Sequence, residues 1–150
     1  MIAFDTNILI YAELPGIDDP RHRQAARLLS MSGLHGAVLP LQVLGEFLHV
    51  CRRKSVLDPH MASQKIDAYA DVFHIPNTIL DDMTVATALL SKFNLQFFDA
   101  LIVAVARRNG ATIFLSEDMH DGLEIDGLRI VNPFVAANDA LLADYFGSAV

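Results

Sequence analysis

The chain has 150 residues, of which 53% are hydrophobic and 19% charged, and a formal net charge of −7. That length suits one domain of about 100–150 residues, and so apolar and charge-poor a composition excludes intrinsic disorder. The acidic balance excludes a simple basic clamp for nucleic acid, but not an enzyme whose acids hold a metal.

Other features narrow the class. The apolar run Ala100–Ala106 is far short of the roughly 20 residues a membrane helix needs, so no membrane role is expected. Cys51 stands alone, which excludes an internal disulfide and a multi-cysteine zinc site and fits a reducing, cytoplasmic setting. Met1 leads straight into Ile2-Ala3-Phe4 without a basic region or cleavage site, so no secretory signal is expected. The apolar excess suggests a surface shared with a partner or a second copy.

In chain order, Ile2-Ala3-Phe4 reads as a short buried strand ending at Asp5, and 7–13 as a short helix broken by Pro15-Gly16. Asp18-Asp19-Pro20 looks like a capped helix start, with the helix running through His22–Met31 until Ser32-Gly33 and Gly36 stop it. Ala37-Val38-Leu39 is a second strand. Residues 42–54 form a strongly amphipathic helix, since Leu44, Phe47, Leu48 and Cys51 repeat at helical spacing. Asp58-Pro59 starts a helix through Ala70, Phe73-His74-Ile75 reads as a third strand, and Asp81-Asp82 open a helix through Leu90. Phe98–Arg108 is apolar nearly all round, so it should be central; Asn109-Gly110 closes it. Strands at Ile113–Leu115 and Leu128–Val131 follow, separated by a polar loop from Ser116, and Ala136–Tyr145 ends the chain as a helix. Short apolar strands alternating with helices predict an α/β domain with a mostly parallel sheet, its ligand site beyond the strands' carboxyl ends.

Four acids fall where that site should be. Asp5 follows the first strand and Asp118 lies three residues past Leu115; Asp99 opens the central helix, and Glu46 borders the buried face of the helix after the second strand. Each has a plain structural alternative: a turn or cap for Asp5, a first-turn acid favoured by the helix dipole for Asp99, a solvated loop acid for Asp118, and a surface pair with Arg52 or Arg53 for Glu46. Together they would repel unless a cation intervened. An all-oxygen set suits Mg²⁺ or Mn²⁺, as one ion or two, and suits zinc poorly.

Four segments, in order, resemble the PIN-domain family, in particular the VapC-type toxins of prokaryotic toxin–antitoxin pairs. They are Phe4-Asp5-Thr6-Asn7-Ile8-Leu9-Ile10-Tyr11-Ala12, Val43-Leu44-Gly45-Glu46-Phe47, Phe98-Asp99-Ala100-Leu101-Ile102-Val103-Ala104-Val105-Ala106 and Leu115-Ser116-Glu117-Asp118. The resemblance spans residues 1 to about 134. It implies a PIN-like three-layer α/β/α sandwich with a central, mostly parallel sheet of four to five strands. It also implies a Mg²⁺- or Mn²⁺-dependent endoribonuclease leaving 5′-phosphate and 3′-hydroxyl ends, with Asp5, Glu46, Asp99 and Asp118 as metal-binding, catalytic acids. Ser116 would orient Asp118 or the backbone, and Thr6 and Asn7 would do the same for Asp5. Family members usually form homodimers silenced by a cognate antitoxin.

The sequence departs from the family pattern in two places. Glu117 and Asp121 crowd the last motif, and either could replace or assist Asp118. The tail 135–150 runs past the usual domain end, within a chain read as one domain over 1–150; it is either a dimer or antitoxin surface or a packed helix. RNA contact is expected from Arg21, Arg23 and Arg27 on one early helix. A basic antitoxin arm would suit the acidic pocket. No histidines pair at metal-ligand spacing. Asn7 stands where an aspartyl-phosphate phosphatase wants a second Asp, and no lysine follows Lys92 as a receiver domain would need. The remaining alternative is a non-catalytic PIN-like module that binds RNA or a partner.

Overall fold

The computed structural model describes residues 1–13, 18–55 and 57–147. The Pro15-Gly16 break lies outside them. Five strands form one sheet: β1 (Ile2–Phe4), β2 (Ala37–Val38), β3 (Ile113–Leu115), β4 (Glu124–Ile125) and β5 (Leu128–Val131), in the order β2-β1-β3-β5-β4. Contacts among β2, β1, β3 and β5 are parallel, and only β4 runs antiparallel, against β5. Seven helices are described: α1 (Thr6–Glu13), α2 (Pro20–His35), α3 (Leu41–Lys54), α4 (Pro59–Val72), α5 (Leu80–Phe93), α6 (Phe97–Arg108) and α7 (Asp139–Tyr145), the last after a 3₁₀ turn at Ala136–Asn138. The result is a three-layer α/β/α arrangement. Among the described residues no single helix is long and apolar enough to cross a membrane.

Strands β1, β2 and β3 are short and buried at every position, as parallel strands covered by helices on both faces must be, while Glu124 of β4 and Arg129 of β5 are exposed. Phe4, Phe114, Phe47 and Phe146 are fully buried in the core. In α6, every residue from Ala100 to Ala106 is buried, which bears out its central position. At its far end the Arg108 guanidinium is paired with Asp82 of α5 at 2.8 Å, and Asp82 Oδ2 also accepts from Ile79 N–H at 2.9 Å.

Several elements differ from the sequence reading, each for a local reason. Helix α2 does not stop at Ser32-Gly33. It runs to His35 and ends at Gly36, whose φ of +76° only glycine adopts freely. Its start is as expected, with the Asp19 side chain accepting from Arg21 N–H at 2.9 Å.

Gly33 is instead a crossing point. A Cβ built there would lie 2.8 Å from Val72 Cγ1 of α4. Gly33→Ala is therefore expected to destabilise by about 1 kcal/mol or more, despite alanine's better helix propensity, because branched Val72 cannot rotate aside freely. In the Val72→Ala background the same change should become neutral or stabilising. A denaturant double-mutant cycle reads the reversal of sign.

Residues Phe73–Ile75 form no strand. His74 makes one parallel bridge to Val38, with His74 N–H donating to Ala37 O at 3.0 Å and Leu39 N–H to His74 O at 2.8 Å. Pro76 then lacks the donor that would continue a ladder. Strand β4 was missed because it is two residues long, although its turn is legible: Asp126 (φ +45°) and Gly127 (φ +90°) make the positive-φ pair of a tight hairpin. The terminal helix of the sequence reading is split, with the 3₁₀ turn first and α7 ending at Tyr145.

Candidate metal and catalytic site

The sheet order turns back on itself between β1 and β3, since the chain goes from β1 outward to β2 and returns to β3 on the other side. That switch point leaves a crevice beyond the strand ends. Phe4 and Leu115 are paired in register, so the next residues, Asp5 and Ser116, emerge side by side. Asp5 N–H donates to Leu115 O at 2.9 Å, and the Ser116 hydroxyl donates to Asp5 Oδ2 at 2.7 Å. Asp5 Oδ1 accepts from Thr6 N–H at 2.7 Å, so both oxygens are held. Asp5 is 7% exposed and Ser116 fully buried.

Helices α3 and α6 begin at this same edge, because in a parallel sheet the helix after or before a strand starts at the strands' carboxyl ends. They bring in Glu46 and Asp99. Glu46 Oε1 accepts from Gln42 Nε2 at 2.7 Å, and Oε2 accepts from the Thr6 hydroxyl at 3.1 Å. No pairing with Arg52 or Arg53 occurs. Asp99 lies half-buried in the first turn of α6. Asp118 is exposed on the loop after β3, where Asn7 Nδ2 donates to its Oδ2. Ser116 Oγ accepts from Asp118 N–H and Met119 N–H, each at 3.2 Å, which shapes that loop.

The four acids feel one another. Burial pushes the Asp5 carboxyl up to about 6; the hydrogen bonds from Ser116 and Thr6 oppose this, and the charges of Asp99 and Asp118 add to it. Burial also raises Asp99, as do the charges of Glu46 and Asp118. Among the described residues no three His, Cys, Asp or Glu side chains close to ligand distance around one point. A Mg²⁺-type ion does not need that, since it keeps several waters and takes one or two carboxylates directly. Acids whose charge is opposed by burial and by one another at Asp5 and Asp99, with oxygen donors only, fit a hard divalent cation.

The extra acids have other partners. Glu117 accepts from the Tyr11 hydroxyl and pairs with Arg21 at 3.3 Å. Tyr11 is pushed up to about 12, first by burial and then by that hydrogen bond and the Glu117 charge. Asp121 Oδ1 accepts from Asn132 N–H at 2.8 Å, and both its oxygens accept from Asn138 Nδ2 at 3.0 and 3.1 Å. Of the arginines on α2, Arg21 is tied to Asp19 and Glu117 and lies 4.5 Å over the Tyr11 ring, while Arg23 pairs with Asp18 at 2.9 Å. Arg27 is exposed, lining a pocket with Leu142 of α7 and with Phe146 just past that helix. Sequence reasoning missed Tyr11 and Asn138 as neighbours of the site. Tyr11 was within reach, since it stands four residues after Asn7 and shares its helix face. Asn138 was not, since its partner lies seventeen residues away with no periodic signal.

The PIN domain family model matches residues 2–120, and the chain belongs to that family. Its fold is similar to VapC20 of Mycobacterium tuberculosis, a sarcin–ricin-loop-cleaving toxin, with 25% identity, a TM-score of 0.62 and 76% of this chain and 87% of that one covered. It is also similar to a toxin–antitoxin complex from Klebsiella pneumoniae (23% identity, TM-score 0.64, 89% and 98% covered). A third similar structure is VapBC2 from Rickettsia felis bound to a promoter DNA fragment (17% identity, TM-score 0.63, 87% and 97% covered). No curated protein matches the chain closely enough to count as a relative.

Proposed function

We propose that the chain is a Mg²⁺- or Mn²⁺-dependent endoribonuclease, the toxin of a prokaryotic type II toxin–antitoxin pair, working as a single domain over 1–150. The observation that carries this reading is the mutual charge that couples Asp5 with Asp99 and Asp118, and Asp99 with Glu46 and Asp118, beyond the β1 and β3 strand ends, with Asp5 and Asp99 pushed up first by burial. Membership of the PIN-domain family and likeness to a sarcin–ricin-loop-cleaving toxin support the same chemistry.

A bound divalent ion supplies neutralising charge, an acidified water and a hold on a phosphate oxygen. The chain's own groups set the geometry. Ser116 and the Thr6 backbone aim both oxygens of Asp5. Thr6 and Gln42 fix Glu46, Asn7 steadies Asp118, and Asp99 enters from the first turn of α6. Hydrolysis puts water oxygen on phosphorus and breaks the P–O3′ bond, leaving a 5′-phosphate and a 3′-hydroxyl. On this reading the partners are RNA, a second copy of the chain and an antitoxin whose basic arm enters the acidic pocket, in the cytoplasm.

The test is cleavage of total cellular RNA, ribosomes and tRNA included, by folded, antitoxin-free protein with Mg²⁺, Mn²⁺ or EDTA, with the new 5′ ends mapped. Discrete cuts that EDTA abolishes and metal restores are expected. Absence of cuts under every condition moves the weight to a non-catalytic module that binds RNA or a partner.

A further inference from the structure

The loop that carries Asp118 is held at both flanks, and the stretch Asn132–Asn138 acts on one flank directly and on the other only through Tyr11. On one side Glu117 accepts from the Tyr11 hydroxyl, and the Tyr11 ring packs edge-on against Phe134 at 5.2 Å. On the other side Asp121 is bound by Asn132 N–H and by the Asn138 side chain. Asn138 is only 8% exposed, and its amide nitrogen also lies 2.9 Å from Asn132 O. A buried amide nitrogen surrounded by acceptors is a committed polar contact, costly to break. The bracing stretch lies wholly beyond residue 120, where the family match ends.

Beyond the Asn7 contact and the two N–H bonds to Ser116 Oγ, the place of Asp118 depends on how the rest of its loop is anchored. Asp118 is exposed, on a polar loop outside the sheet, and the charges of Asp5 and Asp99 face it. A carboxylate in that position drifts outward unless its loop is anchored, and small drifts at such a site are costly.

We propose that Asn138, acting through Asp121, is a positioning residue for Asp118, so that the C-terminal segment past the family match is a working part of the site. This rests on the reading of the four acids as a metal site. It assigns the tail a role beyond that of a packed helix and gives Asp121 a function other than replacing Asp118.

The test compares Asn138→Ala and the exposed, conservative Asp121→Asn with wild type and with Leu142→Val. The last is a mild core change in α7 that lowers stability without touching the loop. Two readouts are taken on the full chain: amide hydrogen exchange of Asp118 and Met119 in EDTA, and Mn²⁺ binding without RNA, followed by electron paramagnetic resonance. Asn138→Ala should speed exchange of both amides about tenfold and weaken Mn²⁺ half-saturation about tenfold. Asp121→Asn should do so less, since it keeps one acceptor, and Leu142→Val should leave Mn²⁺ half-saturation alone.

Wild-type exchange and Mn²⁺ affinity in both Asn138→Ala and Asp121→Asn overturn the proposal. So does faster exchange without a change in Mn²⁺ affinity, or an equal loss of affinity in Leu142→Val. Failure of the wild type to bind Mn²⁺ at all overturns the metal-site reading and the proposal with it. That case is recognisable because the exchange data still report the brace.

Discussion

Asp99→Asn is expected to lower RNA cleavage by about 10³-fold or more while making the metal-free protein more stable. The two effects share one cause. Asp99 is held above its ordinary carboxylate value, first by burial and then by the charges of Glu46 and Asp118. A carboxyl raised on folding destabilises the fold wherever it is ionised, so its cost is absent at low pH and complete above the folded value. Asparagine has nearly the same volume, bears no charge and donates no ligand oxygen of comparable strength. In EDTA at pH 7.5 the variant should melt higher than wild type. The gain should shrink as the pH falls towards 4 and vanish below the ordinary carboxylate value of 3.8. A variant that cuts RNA as fast as wild type would sink the site assignment. One that melts lower than wild type in EDTA at both pH values would show that Asp99 is a structural acid.

Much of this architecture is legible in the residues because the strong signals are local. The all-apolar stretch Ala100–Ala106 demands a buried helix, Asp19-Pro20 and Asp58-Pro59 announce helix starts, and Ile2–Phe4 can only be a covered strand. What fails is whatever depends on a distant partner. Gly33 reads as a stop signal until Val72 is seen across the helix crossing, where glycine serves close approach and not chain reversal. Residues 73–75 have strand composition, yet they meet only β2 at the sheet's edge and make a single bridge.

The site divides in the same way. Sequence order and the carboxyl-end rule place Asp5, Asp99, Asp118 and Glu46 on one edge. Spacing alone does not separate Asp118 from Glu117 and Asp121, because three acids within five residues look alike until their partners are known. The structure separates them by hydrogen bonding: Asn7 holds Asp118 at the cluster, Tyr11 and Arg21 engage Glu117, and Asn138 takes Asp121. Arg21, expected to contact RNA, is engaged with Asp19, Glu117 and Tyr11.

The same electrostatics make metal binding and acidity antagonists, and the size of the effect can be stated. Asp5 keeps its proton up to about 6 in the folded chain, against an ordinary 3.8. Between those values the native state binds more protons than the unfolded one, so metal-free stability falls as pH rises, by about 3 kcal/mol from this group alone. A divalent cation reverses the sign by binding the ionised form. At a concentration of 100 times its dissociation constant at pH 7.5, Mn²⁺ should stabilise by about 2.7 kcal/mol. Below pH 6 the ion must displace a proton, so its apparent affinity falls about tenfold per pH unit. At pH 5 the same Mn²⁺ concentration should therefore stabilise by only about 1.4 kcal/mol. Melting curves in EDTA and in Mn²⁺ across pH 5–8, for wild type and Asp5→Asn, read this directly. The difference from Asp5→Asn cancels the titration of groups elsewhere, such as Asp82, whose pairing with Arg108 gives the opposite slope. An Mn²⁺ shift of equal size at pH 5 and pH 7.5 would mean that the cation binds away from Asp5. A pH-independent difference from Asp5→Asn would mean that Asp5 is ionised throughout and that the buried proton is not what the metal displaces.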